Sequence, residues 1–196
     1  MRGSRACPAL EAALTRRADL VFDSSLTLRL LTGEPSEMAA LQGVLEAASD
    51  YFATITGRPP GSAEAQNTFT ALPPGKDYDA KYVWGLYKAD TMIGCADVIR
   101  GHPIRDKAVI GLLLLAKPWQ GRGLGRAFAL LVEELIRGWP EISSLRIGVV
   151  ASNDRALAFW EKIGYRRTGE TRSGGRDFVA DIVVLEKAVS PCELAT

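Results

Sequence analysis

A single histidine, His102, and three scattered cysteines, Cys7, Cys95 and Cys192, leave this chain little material for several kinds of chemistry. A zinc site draws on clustered Cys, His and carboxylate donors, and a Ser-His-Asp triad needs a histidine beside its nucleophile. An odd number of cysteines with no CxxC pair supplies neither a disulfide framework nor a metal motif. No metal is expected. Long apolar runs are missing too. The longest, Val109–Ala116, has the length of a strand, far short of the ~20 residues that cross a bilayer. The opening segment Met1–Leu20 carries Arg2, Arg5, Arg16 and Arg17 without the continuous apolar core of a secretory signal. Glu11 and Asp19 are out of place in an organelle leader. A cytoplasmic protein without membrane contact is therefore the expectation. Charge of one sign is also scarce: the formal net charge is +1, which argues against a nucleic-acid surface.

What the chain does have is an ordinary globular composition. Its 196 residues, 47% hydrophobic and 24% charged, suffice for one domain with a substantial core. Hydrophobic periodicity and Gly/Pro breaks divide it. Leu26–Leu31 reads as a strand. Pro35 suits the first turn of a helix predicted over Ser36–Phe52, with Met38, Leu41, Leu45 and Ala48 on one face. After the break at Gly57–Gly61, Ser62 is placed to cap a short helix reaching Leu72. Tyr82–Lys88 and Thr91–Arg100 read as a hairpin turning at Ala89-Asp90, followed by a buried strand at Val109–Leu115. A helix over Leu124–Arg137 stops at Gly138-Trp139-Pro140. Strand Leu145–Val150, helix Asn153–Ile163 and strands Tyr165–Glu170 and Phe178–Lys187 complete the order β-α-α-β-β-β-α-β-α-β-β. Residues 1–25 are set apart as an N-terminal extension with a helical stretch Pro8–Leu20, 26–189 as the domain, and 190–196 as a tail.

The most informative stretch is Gln120-Gly121-Arg122-Gly123-Leu124-Gly125, which joins a strand to a helix. The first N–H groups of a helix lack intrahelical partners, and the helix dipole favours an anion there. Glycine lets that anion approach the backbone closely. A phosphate-bearing ligand is expected. Two phosphate-binding spacings fail. G-x-G-x-x-G would put Arg126 or Phe128 where its last glycine belongs, and the only Gly-Lys, Gly75-Lys76, is followed by Asp77 rather than Ser or Thr. The spacing Q/R-x-x-G-x-G/A does fit, on Gln120, Gly123 and Gly125. Downstream, Val150–Tyr165 fits N-x-x-A-x-x-F-[Y/W]-x-x-x-G-[F/Y] on Asn153, Ala156, Phe159, Trp160, Gly164 and Tyr165. In this order, with room for one helix and one strand between them, the two segments resemble the acetyl-CoA segments of the GNAT superfamily of N-acetyltransferases. The resemblance covers Leu26 to Val189.

The resemblance implies an α/β (α+β) fold: a mixed, mostly antiparallel sheet of about seven strands with helices on both faces. It implies that Val109–Leu115 and Leu145–Val150 splay apart to admit acetyl-CoA. Backbone groups at Leu113 and Leu115 would pair with the pantetheine arm, and an N–H near Leu115 would polarise the thioester carbonyl. The N–H groups of Arg122, Gly123, Leu124, Gly125 and Arg126 would bind the pyrophosphate, with Gln120, Gly121, Asn153, Phe159 and Trp160 completing the cofactor site. Trp160 is a departure. Many members carry a tyrosine there that protonates the leaving thiolate, whereas an indole N–H is a donor and not a usable acid. A CoA thiol, with a pKa near ~8.5, leaves tolerably without one. A monomer or a homodimer is expected, since dimerisation through the last strands is common among such proteins.

The acceptor side is read from charge. Between Thr32 and Ala80 seven acids face two bases, whereas from Lys117 onward twelve bases face ten acids. An acidic acceptor half attracts cations, and Asp77, Tyr78 and Asp79 are placed to recognise an ammonium or hydroxyl. Asp97, mid-strand and flanked by apolar residues, is the candidate general base; a solvated or loop-capping carboxylate is the bland alternative. His102 precedes Pro103 in a hairpin loop, where exposure is expected. Cys95 reads as a small buried hydrophobe. Arg166, Arg167, Arg172 and Arg176, around Gly174-Gly175, read as a solvated turn or a contact to the adenosine phosphate. The reading is an N-acetyltransferase for a small cationic amine, acting by direct attack in a ternary complex. Acetylation of a peptide or protein N-terminus, transfer of a longer acyl group, and a non-catalytic CoA-binding sensor are the rivals.

Overall fold

The computed structural model describes residues 26–189; the expectations for 1–25 and 190–196 lie outside it. Strand β1 (Leu26–Leu30) leads into three helices, α1 (Pro35–Glu46), α2 (Ser49–Thr56) and α3 (Glu64–Thr70). A short 3-10 turn (Tyr78–Ala80) precedes β2 (Lys81–Lys88), β3 (Thr91–Arg100) and β4 (Lys107–Leu115). Helix α4 (Leu124–Arg137), β5 (Ser144–Val150), α5 (Asp154–Lys162), β6 (Arg166–Arg172) and β7 (Ile182–Ala188) follow. The seven strands form one sheet in the order β1-β2-β3-β4-β5-β7-β6. Only the β4–β5 pair is parallel. The predicted mixed, mostly antiparallel sheet is the one observed.

Strand alternation sends side chains to two cores. On one face Trp84, Leu86, Ile110, Leu145 and Ile147 pack against Phe128, Val132 and Ile136 of α4 and Leu157 and Trp160 of α5. On the other, Val83, Tyr87, Cys95 and Leu114 pack against Leu41, Val44 and Leu45 of α1 and Phe52 of α2. Within β3, Ala96 and Val98 join the first core and Cys95 the second, so Asp97 shares the face of α1–α3.

Four local expectations need correction. The single helix predicted over Ser36–Phe52 is two, broken at Ala47-Ala48. The Ala47 carbonyl accepts the Lys117 N–H at 3.1 Å, and Lys117 also pairs with Asp50, so a tertiary contact from the β4–α4 connection bends the chain there. Ser62 does not cap α3. Gln42 of α1 serves instead, accepting from Ala65 N–H at 2.9 Å and donating to the Gly61 carbonyl at 2.9 Å. The helix ends at Thr70, short of Leu72. The last strand begins at Ile182, not Phe178. Residues before it form a loop whose Val179 N–H donates to the Ile55 carbonyl of α2 at 2.9 Å, taking the backbone away from the sheet.

The end of α5 is fixed by the second sequence segment. Gly164 adopts φ +102°, which a residue with a side chain resists, and turns the chain so that Tyr165 drops into the core at 2% exposure. There it packs edge-on to Trp160 at 4.9 Å. Beneath it lies a buried charge: Glu133 of α4, fully enclosed, accepts from Lys187 of β7 at 2.7 Å, and Lys187 also donates to the Ile163 carbonyl. This contact ties α4, α5 and β7 together. Removing one partner of such a pair costs more than removing both. Lys187→Met is expected to lower unfolding stability in urea by about 3 kcal/mol, and Glu133→Leu/Lys187→Met to recover most of that loss.

Candidate functional site

The β4–β5 ladder is short. It pairs Lys107 with Ser144 through Ile110 with Ile147 and then stops, while β4 continues to Leu115 against β3 and β5 continues to Val150 against β7. Two strands that remain in one sheet yet lose their mutual pairing open a wedge between them. From Gly111 to Leu115 the β5-facing backbone of β4 has no strand partner. A β-bulge contributes: Asp97 faces Leu112 and Val98 faces Ile110, so Gly111 is the extra residue on β4. Bulges bend and twist the strand that carries them.

At the mouth of the wedge lies the glycine loop. Gly121 and Gly123 adopt φ +75° and +79°, the left-handed conformation that favours glycine. Gly123 is the residue at the N-terminus of α4. Among the described residues, the N–H groups of Gly121, Arg122, Gly123, Leu124 and Gly125 find no protein acceptor. The Arg126 N–H, by contrast, donates to the Gly123 carbonyl at 3.2 Å, so only its side chain is free for a ligand. Gly121, Arg122, Gly123 and Arg126 are exposed. The loop is therefore a set of free donors at a positive helix end, as an anionic ligand requires. The Arg122 guanidinium lies over the Trp119 ring at 5.7 Å and the Lys88 ammonium over the same ring at 5.5 Å, so two cations flank the loop.

The structure brings both sequence segments together. A Cβ built on Gly125 would meet Phe159 at 3.7 Å and Leu115 at 4.0 Å, so the loop, α5 and the end of β4 converge on one point. Gln120 has a structural partner, its side-chain amide donating to the Leu115 carbonyl at 2.8 Å and closing the end of β4. Asn153 caps α5, its Oδ1 accepting from Ala156 N–H at 3.1 Å. Leu113 is half-buried against the α4 core. Trp160 is buried at 8% exposure between Phe159 and Tyr165. Its surroundings are those of a core packing residue.

On the other face, Asp97 is not a solvated carboxylate. Its side chain is 16% exposed, and the Lys81 ammonium, 4% exposed, lies 2.8 Å from its Oδ1. Burial pushes the Asp97 pKa above the usual carboxylate value, and Lys81 opposes that rise. A Cβ on Gly111 would sit 3.2 Å from Asp97 Oδ2, so the missing side chain is what lets the carboxylate lie across β4 beside the wedge. Burial pushes the neighbouring Cys95 thiol up to about 12, with Asp97 adding to the effect, so it stays protonated. A cavity of about 380 Å³ opens beside Lys81, lined by Leu30, Leu31, Phe69, Tyr78, Asp79, Tyr82 and Val83. Tyr78 and Asp79 thus sit on it, while Asp77 precedes the 3-10 turn and is not among its walls. His102 is half-buried rather than exposed, and burial and nearby cations hold it below its usual range. Arg167 and Arg172 pair with Glu161 and Glu170.

Sequence reasoning missed two contributors. Lys81 opens a strand and carries no motif; only its fold partner makes it notable. The loop from Ser173 to Asp181, read as a turn at Gly174-Gly175 followed by strand from Phe178, reaches α2 through Val179 across the face of the sheet that bears Asp97. Among the described residues, no group of His, Cys, Asp and Glu is arranged to hold a metal, and no helix is long and apolar enough to cross a membrane.

A family model described as the acetyltransferase (GNAT) family matches residues 44–165, more than half of the chain. An acetyltransferase of known structure from Thermus thermophilus is 25% identical, with a TM-score of 0.66 over 84% of this chain and 99% of that one. The ribosomal-protein-S18-alanine N-acetyltransferase from Escherichia coli is 17% identical, with a TM-score of 0.59 over 87% of this chain and 98% of its own. Spermidine N-acetyltransferase from Vibrio cholerae, solved with CoA and spermine, is 17% identical, with a TM-score of 0.64 over 85% and 96%. No curated protein matches the chain significantly by sequence. The wedge, the loop of free donors at its mouth and the family match converge: this chain belongs to the GNAT acetyltransferase family and is an acyl-CoA-dependent N-acyltransferase.

Proposed function

We propose that the protein transfers an acetyl group from acetyl-CoA to a primary amine of a small cationic molecule, by direct attack in a ternary complex. The observation that carries this reading is the wedge beyond Ile110 and Ile147 with free N–H donors at its mouth. The N–H groups of Gly121 to Gly125 bind the pyrophosphate, and Arg122 and Arg126 add charge. The pantetheine arm lies in the wedge against the β5-facing backbone of β4 at Leu113 and Leu115, as a strand would, with the Leu115 carbonyl already held by Gln120. Asn153 and Phe159 border its path, and Trp160 backs them from the core. Held in this way, the thioester meets an amine as an oriented neighbour rather than a solute.

On the acceptor side Asp97, beside Gly111, accepts the proton of the incoming ammonium, directly or through water, so that a neutral amine attacks. The amine nitrogen bonds to the thioester carbon and gives up its extra proton to solvent, the tetrahedral oxyanion collapses, and the C–S bond breaks to release the CoA thiolate. That thiolate takes its proton from solvent, since an indole supplies none. The acidic segment Asp77–Asp79 favours a cationic acceptor, and Asp79 on the cavity wall is the residue best placed for it.

Free CoA released from acetyl-CoA, followed with a thiol reagent across polyamines, aminoglycosides, amino acids and short peptides, tests the reading. Turnover on small polyamines or aminoglycosides is expected. Turnover on peptides alone would shift the acceptor to a protein N-terminus, and acetyl-CoA binding without turnover would favour a sensor. Two substitutions separate the halves of the site. Gly123→Ala strains a positive φ and is expected to weaken acetyl-CoA binding at least about tenfold by calorimetry, with little change in melting temperature. Asp79→Asn is expected to raise KM for a cationic amine about fivefold and leave KM for acetyl-CoA unchanged, since the change removes one exposed charge contact.

A further inference from the structure

Lys81 and Asp97 form a buried ion pair that no sequence motif announces. Placing two charges out of water is costly, and a well-packed apolar pair is often no less stable. Stability is therefore a poor reason to keep such a pair, and its position suggests another. Lys81 stands at the start of β2 on the wall of the 380 Å³ cavity, and Asp97 stands on β3 with its other carboxylate oxygen over Gly111 at the wedge. The pair thus lies between the cavity and the point where β4 leaves β5. The Lys81 ammonium also donates to the Ala71 carbonyl, at 2.8 Å, just past the end of α3. One ammonium holds the carboxylate on one side and the α3 connection on the other.

We propose that Lys81 is a positioning residue: it keeps Asp97 ionised and aimed across Gly111 at the wedge, and fixes the α3 connection at the acceptor cavity. The inference rests on the acetyl-transfer reading only for its kinetic consequence, not for the hold on Asp97. The groups around Asp97 leave Lys81 as its counter-charge. From β4 it faces the bare backbone of Gly111. On its own strand its neighbour is the Cys95 thiol, and from α2 the Tyr51 phenol faces that thiol. Burial pushes both up to about 12, so both are neutral at physiological pH. Burial raises the Asp97 pKa, and the ammonium restrains the rise. Without the ammonium, Asp97 would be protonated, and unable to take a proton, over a wider range of pH.

The test uses Lys81→Gln, which keeps a donor for Ala71 and Asp97 and removes the charge, and Lys81→Arg, which keeps the charge. Carboxyl carbon NMR of the full chain, with Asp97→Asn to assign the signal, reads the Asp97 titration midpoint without any substrate. Lys81→Gln is expected to raise that midpoint by about one pH unit or more, and Lys81→Arg to return it most of the way. With a turned-over amine, the acidic limb of kcat/KM against pH moves up by the same amount in Lys81→Gln. At pH 7 the loss falls on kcat, while KM for acetyl-CoA stays within about twofold, because the pyrophosphate loop is untouched. An unchanged midpoint in folded Lys81→Gln overturns the hold on Asp97. A shifted midpoint with an unmoved kinetic limb overturns its role in transfer. Absence of turnover by the wild-type chain counts against the proposed function instead, and leaves the midpoint measurement standing.

Discussion

The candidate site in this molecule is organised around a ladder that stops. β4 and β5 pair in parallel over four residues each and then part, although each stays bonded to its outer neighbour. An unpaired backbone inside a protein is costly unless something pairs with it. The end of β4 is closed internally by Gln120, and what lies between is open to an extended ligand. The bulge at Gly111, the left-handed glycines and the free donors at the head of α4 are all arranged about that gap. The two cores on either face hold its walls: α4 and α5 on one side, α1 to α3 on the other.

The loop and the sheet solve different electrostatic problems. The loop before α4 concentrates positive potential from backbone dipoles and from Arg122 and Lys88, with no buried charge of its own. Away from the loop both faces bury charge: Glu133 with Lys187 against α4, and Asp97 with Lys81 on the face of α1 to α3. Toward the other end of the sheet Arg146 of β5 is bonded to Glu186 at 2.7 Å and to Glu170, and Lys107 is bonded to Glu186 at 2.7 Å. Arg146 is 7% exposed, so this network forms part of the body of the sheet rather than its solvated surface.

Most of the frame was legible in the residues. Helix α4 was readable at its full length because a strong apolar stripe runs between Gly123 and Gly138, and both hairpin strands were readable because tight turns bound them. The cofactor loop was readable because its chemistry is local: glycines, a helix start and nothing else. What escaped was held by distant contacts. The break between α1 and α2 depends on Lys117 reaching back to Ala47 and Asp50, and the start of α3 depends on Gln42 rather than on its own Ser62. Asp97 could be picked out as a carboxylate among apolar residues, but its partner could not, because Lys81 and Asp97 meet only through strand pairing. The extent of β7 failed for a similar reason: Phe178 and Val179 look strand-like, and a bond to α2 draws them off the sheet.

The sheet ends in β6, whose seven residues are all exposed and carry three arginines and a glutamate. Its pairing with β7 slips between Arg167 and Thr171, where Gly169 adopts φ +84°. Long flat edges invite other chains to add a strand; irregular, charged ones discourage it. A strand laid along β6 would find regular backbone at Arg166-Arg167 and again at Thr171-Arg172, with a kink between. This border of the sheet is thus poorly suited to extension by a further strand, and its arginines and glutamate are what it offers to a partner.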